Sequence, residues 1–207
     1  IALLDLYTIG HRDAFMCLFT KACLENNAKV ICIYPNSQII KDWLLANAEI
    51  PLDNIIFIDF TPIHKSYKSF GRFNNALSVL AYWKFCSSFL RKIEIENNVK
   101  IDIVYFNWLD SQMANYLPAS ILDYIFPYKW SGLYFHPVIF RRKLEYLNNK
   151  VSFKDVDSIY SSKNCVAVTI HDEGILEKYK NRINKKTILF PEIADAAPPN
   201  PALPLSI

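Results

Sequence analysis

The stretch Asn26-Asn27-Ala28-Lys29-Val30-Ile31-Cys32-Ile33-Tyr34-Pro35-Asn36-Ser37 decides the architecture. Its centre, residues 29–34, is an almost unbroken apolar run with no polar alternation. A strand with one solvated face alternates; a strand that does not is covered on both faces, as in a parallel sheet with crossover helices. Both flanks carry helical patterns. Residues 13–26 place Phe15, Leu18, Phe19, Ala22 and Cys23 on one face, with Asp13 available as an N-cap. Residues 37–48 place Ile40, Trp43, Leu44 and Ala48 at helical spacing.

The same unit recurs outward from this stretch. Apolar runs at residues 1–6, 55–60, 101–106, 130–135, 165–170 and 187–190 read as further strands. Residues 74–97 form the longest helical pattern, with Val79, Tyr82, Trp83, Cys86, Phe89, Leu90 and Ile93 in one stripe. Shorter patterns fall at 118–124, 140–148 and 173–181. No internal repeat stands out. Strand and helix alternating in this way predict a single α/β domain with a doubly wound, mostly parallel, Rossmann-like sheet. That domain is expected over residues 1–193. Residues 194–207, with Ala196-Ala197-Pro198-Pro199-Asn200-Pro201, read as a proline-rich interdomain linker or tail, and both ends of the chain read as cut.

Composition narrows the function. A chain of 207 residues can bury about 70% of its unfolded surface without a disulfide or metal. Hydrophobic residues at 52% and charged residues at 21% exclude disorder and a charged coiled coil. Four glycines against eleven prolines exclude the usual glycine-rich phosphate-binding chain. A net charge of +3 suits an anionic substrate or a membrane surface but falls short of a nucleic-acid signature, so no nucleic-acid partner is expected. Cys17, Cys23, Cys32, Cys86 and Cys165 are odd in number, lack any CxxC pair and sit in apolar stretches. They read as reduced core residues and point to the cytoplasm. No charge-free apolar run reaches membrane-spanning length, and no signal peptide opens the chain.

In an open α/β sheet, ligands gather at the carboxyl ends of the strands. The first strand is followed by Thr8-Ile9-Gly10-His11-Arg12-Asp13, where Gly10 permits close approach to the start of a helix and His11 and Arg12 supply donors and positive charge. Two glycines of a GxGxxG pattern are absent, so this loop does not read as a dinucleotide site; it serves equally well as a plain strand-to-helix turn. The fourth strand is followed by Asn107-Trp108-Leu109-Asp110, the fifth by His136-Pro137 and the sixth by His171-Asp172-Glu173. His11, His136 and His171 therefore share one edge of the sheet, suited to proton transfer near neutral pH, although each alone could be a structural histidine. A zinc site from all three lacks the usual ligand spacing and ranks below. Asp172 and Glu173 read as the start of a helix rather than a carboxylate pair. Between residues 62 and 73, His64, Lys65, Lys68 and Arg72 interleave with Tyr67, Phe70 and Phe73. Such a loop allows peripheral contact with anionic lipid, though a solvated loop with aromatics tucked inward is the preferred reading. No nucleophile motif is present.

Several segments resemble the N-terminal half of GT-B glycosyltransferases, nearest to the family 4-like enzymes. They are the first strand ended by Gly10-His11, the Asn27-Ala28-Lys29-Val30 entry to the second strand, Asp102-Ile103-Val104-Tyr105-Phe106-Asn107, Trp130-Ser131-Gly132-Leu133-Tyr134-Phe135-His136-Pro137, and Phe190-Pro191-Glu192-Ile193-Ala194-Asp195. The likeness spans essentially the whole chain through short motifs. It implies an acceptor-binding half, inactive alone, of an enzyme that moves sugar from a nucleotide-sugar to a glycan or lipid-linked acceptor. The nucleotide-sugar would be held by a C-terminal half whose E-x7-E-type motif is absent here, and neither a metal nor another cofactor is implied. By the resemblance, His136 points at the reacting sugar as the catalytic residue. Gly10 and His11 line the cleft; with Arg12, Asn107, Asp110 and His171 they make the substrate-binding set. Asn107-Trp108-Leu109-Asp110 departs from the family pattern and is read as selecting the acceptor. The alternative is a non-catalytic acceptor- or membrane-docking subunit that pairs with a separate donor-binding chain. An unrelated metabolite-binding α/β protein is the third reading, since fold alone does not specify function.

Overall fold

A computed structural model of the chain describes residues 1–6, 12–48, 50–60, 72–109, 117–134, 161–179 and 185–190, without the side chains of 72–78 and 178–179. Seven strands are β1 (Ala2–Leu4), β2 (Val30–Tyr34), β3 (Ile55–Asp59), β4 (Val104–Phe106), β5 (Trp130–Tyr134), β6 (Ala167–Ile170) and β7 (Lys186–Leu189). They form one sheet in the order β3-β2-β1-β4-β5-β6-β7, and every pair is parallel. Five helices are described: α1 (Arg12–Glu25), α2 (Ser37–Asn47), α3 (Arg72–Asn97), α4 (Ala119–Ile125) and α5 (Glu173–Tyr179). This is the doubly wound, Rossmann-like α/β domain expected from the alternation. The expected helix at 140–148 and the loop around His64 lie outside the described residues.

The central strands are buried on both faces, which is why they lack alternation. All five residues of β2 are buried, and successive side chains go to opposite layers. Ala2, Leu4, Ile31, Ile33, Val104 and Phe106 pack beneath α3 with Trp83, Cys86 and Leu90. Leu3, Val30, Cys32 and Tyr34 pack with Met16, Cys17 and Leu24 of α1 and Ile40 and Leu44 of α2. The stripe expected on the longest helix is the buried face of α3, where Val79, Trp83, Cys86, Leu90 and Ile93 are all buried.

The face of α1 differs from its expected one. Its buried residues are Phe15, Met16, Cys17, Thr20 and Leu24, whereas Ala22 is exposed and Leu18, Phe19 and Cys23 are half-buried. Residues 14–19 are apolar all round, so their periodicity leaves the rotational phase open. Packing on Cys32 and Tyr34 sets that phase, and Phe19 settles at the margin against Tyr105 and Phe190, with ring centroids 4.6 and 4.7 Å away. Asp13 is not the N-cap either: α1 already begins at Arg12, and the Asp13 carboxylate accepts the Ala14 N–H at 3.0 Å.

Two helices end in the same way. Asn27 and Asn98 have φ of 56° and 49°, a left-handed conformation for which asparagine is the usual substitute when glycine is scarce. After α1, the Asn27 N–H donates to the Leu24 carbonyl and the Ala28 N–H to the Cys23 carbonyl. After α3, Asn98 bonds to Ile95 and Val99 to Glu94 in the same pattern. Both are Schellman terminations. They share a local motif, Glu25-Asn26-Asn27-Ala28-Lys29 and Glu96-Asn97-Asn98-Val99-Lys100, each leading into an apolar run. Among the described residues, no helix is long and apolar enough to cross a membrane.

Candidate functional site

The chain leaves β1 toward β2 on one side and returns through β4 on the other, so the carboxyl ends of β1 and β4 flank the topological switch point of the sheet. Asp5, directly after β1, is only 4% exposed. Its backbone N–H donates to the Ile33 carbonyl at 3.1 Å, which holds it in line with β2. The carboxylate accepts from Arg12 Nη1 on Oδ1 and from Asn107 Nδ2 on Oδ2, each at 2.8 Å. Asn107 Nδ2 also donates to the Arg12 carbonyl at 2.9 Å, tying the end of β4 to the first residue of α1. The Arg12 guanidinium lies 4.5 Å from the centroid of the Trp108 ring. A cation with only 16% of its side chain exposed is thus held between a carboxylate and an indole face.

Backbone pairing sets the path of Asn107-Trp108-Leu109. The Asn107 N–H donates to the Leu4 carbonyl at 3.0 Å and the Leu109 N–H to the Leu133 carbonyl at 2.7 Å, so the segment crosses from β1 to β5. Gly132 in β5 makes room for it. A Cβ there would lie 2.6 Å from the Phe106 carbonyl oxygen, 2.7 Å from Leu109 Cγ and 2.9 Å from Leu109 Cδ1. Gly132→Ala is therefore expected to lower stability by about 1–3 kcal/mol, because a backbone oxygen cannot rotate away as a side chain can. Urea denaturation followed by far-UV circular dichroism measures this. An unchanged midpoint would show that the Asn107–Leu109 segment is not held against β5.

The neighbouring helix α2 has its terminus closed internally. Asp59, at the end of β3, accepts hydrogen bonds from both the N–H and the hydroxyl of Ser37, each at 2.8 Å. A carboxylate thus occupies that positive helix end.

Of the expected site residues, the structure brings Arg12 and Asn107 together. His171 follows β6 on the same edge, three strands from β1, roughly 14 Å at ordinary strand spacing. It is half-buried. Asp172 caps α5 by accepting the Ile175 N–H at 2.7 Å, as its expected helix-starting role requires. Gly10, His11, Asp110 and His136 lie outside the described residues. Among the described residues, no group of three or more His, Cys, Asp or Glu side chains is arranged to hold a metal.

Asp5 is the residue that sequence reasoning missed. The available signal was a lone carboxylate closing an apolar strand, Ala2-Leu3-Leu4-Asp5-Leu6. The same signal recurs in Ile56-Phe57-Ile58-Asp59-Phe60, where the acid caps a helix.

Cysteine chemistry does not compete for the function of these residues. Burial is the main cause that pushes the thiols of Cys17, Cys32, Cys86 and Cys165 up to about 12, and it also raises Cys23. Thiolate is the reactive form, so a disulfide reagent at pH 8 is expected to label the native chain slowly, Cys23 first, and all five cysteines after denaturation. Fast native labelling of any other cysteine would contradict the packing. The sign of the pH dependence follows from the same shifts. The folded state keeps these protons to higher pH than the unfolded chain, so stability is full below about pH 9 and falls as pH rises toward 12.

No protein-family model matches this chain, and no curated protein matches its sequence.

Proposed function

We propose that this chain is the acceptor-binding half of a GT-B-type glycosyltransferase, which moves sugar from a nucleotide-sugar to a glycan or lipid-linked acceptor. The observation that carries the reading is the Asp5–Arg12–Asn107 network at the β1–β4 switch point, backed by the Trp108 ring. Open parallel sheets bind ligands in that crevice. The architecture agrees with the fold that the sequence resemblance implies, and Asn107 closes one of the segments through which the resemblance runs.

In such a transfer the acceptor hydroxyl attacks the anomeric carbon, the carbon–oxygen bond to the diphosphate breaks, and the nucleoside diphosphate leaves. The role of this half is to bind and orient the acceptor, while fixed positive groups and backbone amides along the cleft favour the departing charge. The donor is held by a second half outside these 207 residues. By the sequence resemblance, His136 is assigned the position facing the reacting sugar.

The test is expression of the whole reading frame and assay of transfer and donor hydrolysis across a panel of nucleotide-sugars, beside the 207-residue chain. Turnover by the long product and none by the short one supports the proposal. A long product that turns over no nucleotide-sugar refutes it. His136→Ala in the active product is expected to lower kcat by at least about 100-fold with an unchanged melting temperature. Near wild-type turnover would remove His136 from the reaction.

A further inference from the structure

Helices α3 and α4 leave a cleft of about 420 Å3 between them, lined by Leu80, Lys84, Ser87, Ser88, Tyr124 and Ile125. That volume lies within the usual range for a small-molecule site. The cleft shares no residue with the Asp5–Arg12–Asn107 network. Its α3 wall is one face of the helix, since residues 80, 84, 87 and 88 follow the i, i+4, i+7, i+8 pattern. The neighbouring stripe of Val79, Trp83, Cys86 and Leu90 goes into the core. Leu80 and Ile125 are half-buried against that core and give the cleft an apolar base.

The polar groups of the cleft are not committed elsewhere. Among the described residues, Lys84 makes no ion pair, and the hydroxyls of Ser87, Ser88 and Tyr124 make no hydrogen bond. Serine inside a helix is a poorer helix former than alanine, and its hydroxyl commonly turns back to a carbonyl one turn earlier. Here two successive serines border the cleft without that bond. Tyr124 is 88% exposed and Ile121, one turn before it, 43%, so the α4 wall offers solvent an aromatic and an aliphatic surface.

Charge decides the kind of ligand. Residues 72–93 hold Arg72, Lys84, Arg91 and Lys92 and no acid. Glu94, the first acid in α3, accepts from the Ile101 N–H and the Tyr128 hydroxyl. The one acid of α4, Asp123, accepts from the Ser162 hydroxyl and the Lys163 N–H. Both carboxylates are engaged with partners other than Lys84, which leaves the cleft a positive wall.

We infer that the α3–α4 cleft binds an anionic amphiphile. Its phosphate or carboxylate group sits on Lys84 and the Ser87 and Ser88 hydroxyls, and its hydrocarbon body lies along Leu80, Ile125 and the Tyr124 ring. The ammonium and hydroxyls supply donors to the anion, and the apolar residues supply buried area. Free phosphate lacks the second part and a neutral alcohol the first. This site goes beyond the transferase reading and does not depend on it.

The experiment is a 15N–1H NMR titration of the 207-residue chain, following the backbone amides of residues 80–88 and 121–125. The probes are decyl phosphate below its micelle-forming concentration, decanol and inorganic phosphate. Expected are saturable shifts of those amides with decyl phosphate, binding of decanol at least about threefold weaker, and no saturation with phosphate. Lys84→Gln should weaken decyl phosphate at least about threefold and leave decanol unchanged, which removes the preference between them. Ser87→Leu, which fills the cleft, should weaken both. If that variant does not fold, Lys84→Gln decides alone, because Lys84 is exposed and its side chain makes no ion pair among the described residues. A decyl phosphate affinity indifferent to Lys84→Gln would overturn the inference, as would shifts confined to other residues or no saturable response at all. Phosphatidylglycerol vesicles form the separate arm for a membrane surface. Binding to them without a response to monomeric decyl phosphate would overturn the inference as well.

Discussion

Replacing Trp83 with alanine is expected to cost about 4–5 kcal/mol, a large share of the roughly 5–15 kcal/mol that holds such a domain together. Trp83 is fully buried on α3. Its ring meets Phe106 of β4 edge-on at 5.0 Å, Phe126 after α4 edge-on at 4.9 Å and Trp130 of β5 at 5.4 Å in a tilted arrangement. Those partners also touch one another, Phe106 with Phe126 at 5.7 Å and with Trp130 at 6.4 Å. One indole thus joins the helical layer to β4 and β5. Alanine leaves a void bounded by rigid rings that cannot collapse into it, and it removes the aromatic pair terms as well. Urea denaturation by far-UV circular dichroism is the suitable measurement, since the chain has four tryptophans and fluorescence would mix their signals. Trp83→Phe, which keeps a ring in the site, should cost less than half as much. A loss below about 2 kcal/mol for alanine would show that the cluster repacks and that Trp83 is not its centre.

Asp5→Ala is the second large effect, expected at about 3 kcal/mol. The carboxylate is 2% exposed at its side chain, while Arg12 keeps 16%, so removing the acid takes a buried anionic partner from a mostly buried cation beside Trp108. Breaking a buried pair from one side costs about 3–5 kcal/mol, and the partial exposure of Arg12 places this case at the lower end. The Asn107 amide loses one of its two acceptors at the same time. Asp5→Asn, which keeps the shape and one acceptor, should cost less. The diagnostic result is a double-mutant cycle: Asp5→Ala combined with Arg12→Ala should be far less than additive, with a coupling above about 1 kcal/mol. Additive losses would mean that the 2.8 Å contact contributes little to the fold.

Much of the fold was legible because burial on both faces imposes its own composition. β2 is apolar at every position because helices cover both its sides. Cap residues were partly readable: Asp172 does cap α5, whereas Asp13 sits one residue inside α1. The helix stops were written in Glu-Asn-Asn twice over, a signal easily passed by when glycine is taken as the only left-handed residue. The phase of α1 was not readable, because a segment apolar all round fits a sheet in more than one rotation.

The candidate site divides along the same line. Local chemistry marked Arg12 and Asn107, since each follows a strand and carries polar groups suited to a ligand. Nothing in their 95-residue separation said that they touch. The sequence by itself determined the alternation of strands and helices, and with it a parallel sheet whose strand ends carry the polar residues. Only the tertiary structure decided that β1 lies between β2 and β4, because strand order depends on which side each crossover takes, and local periodicity carries no record of that choice. From that order follow the crevice at β1 and β4 and the burial of Asp5 between Arg12 and Asn107.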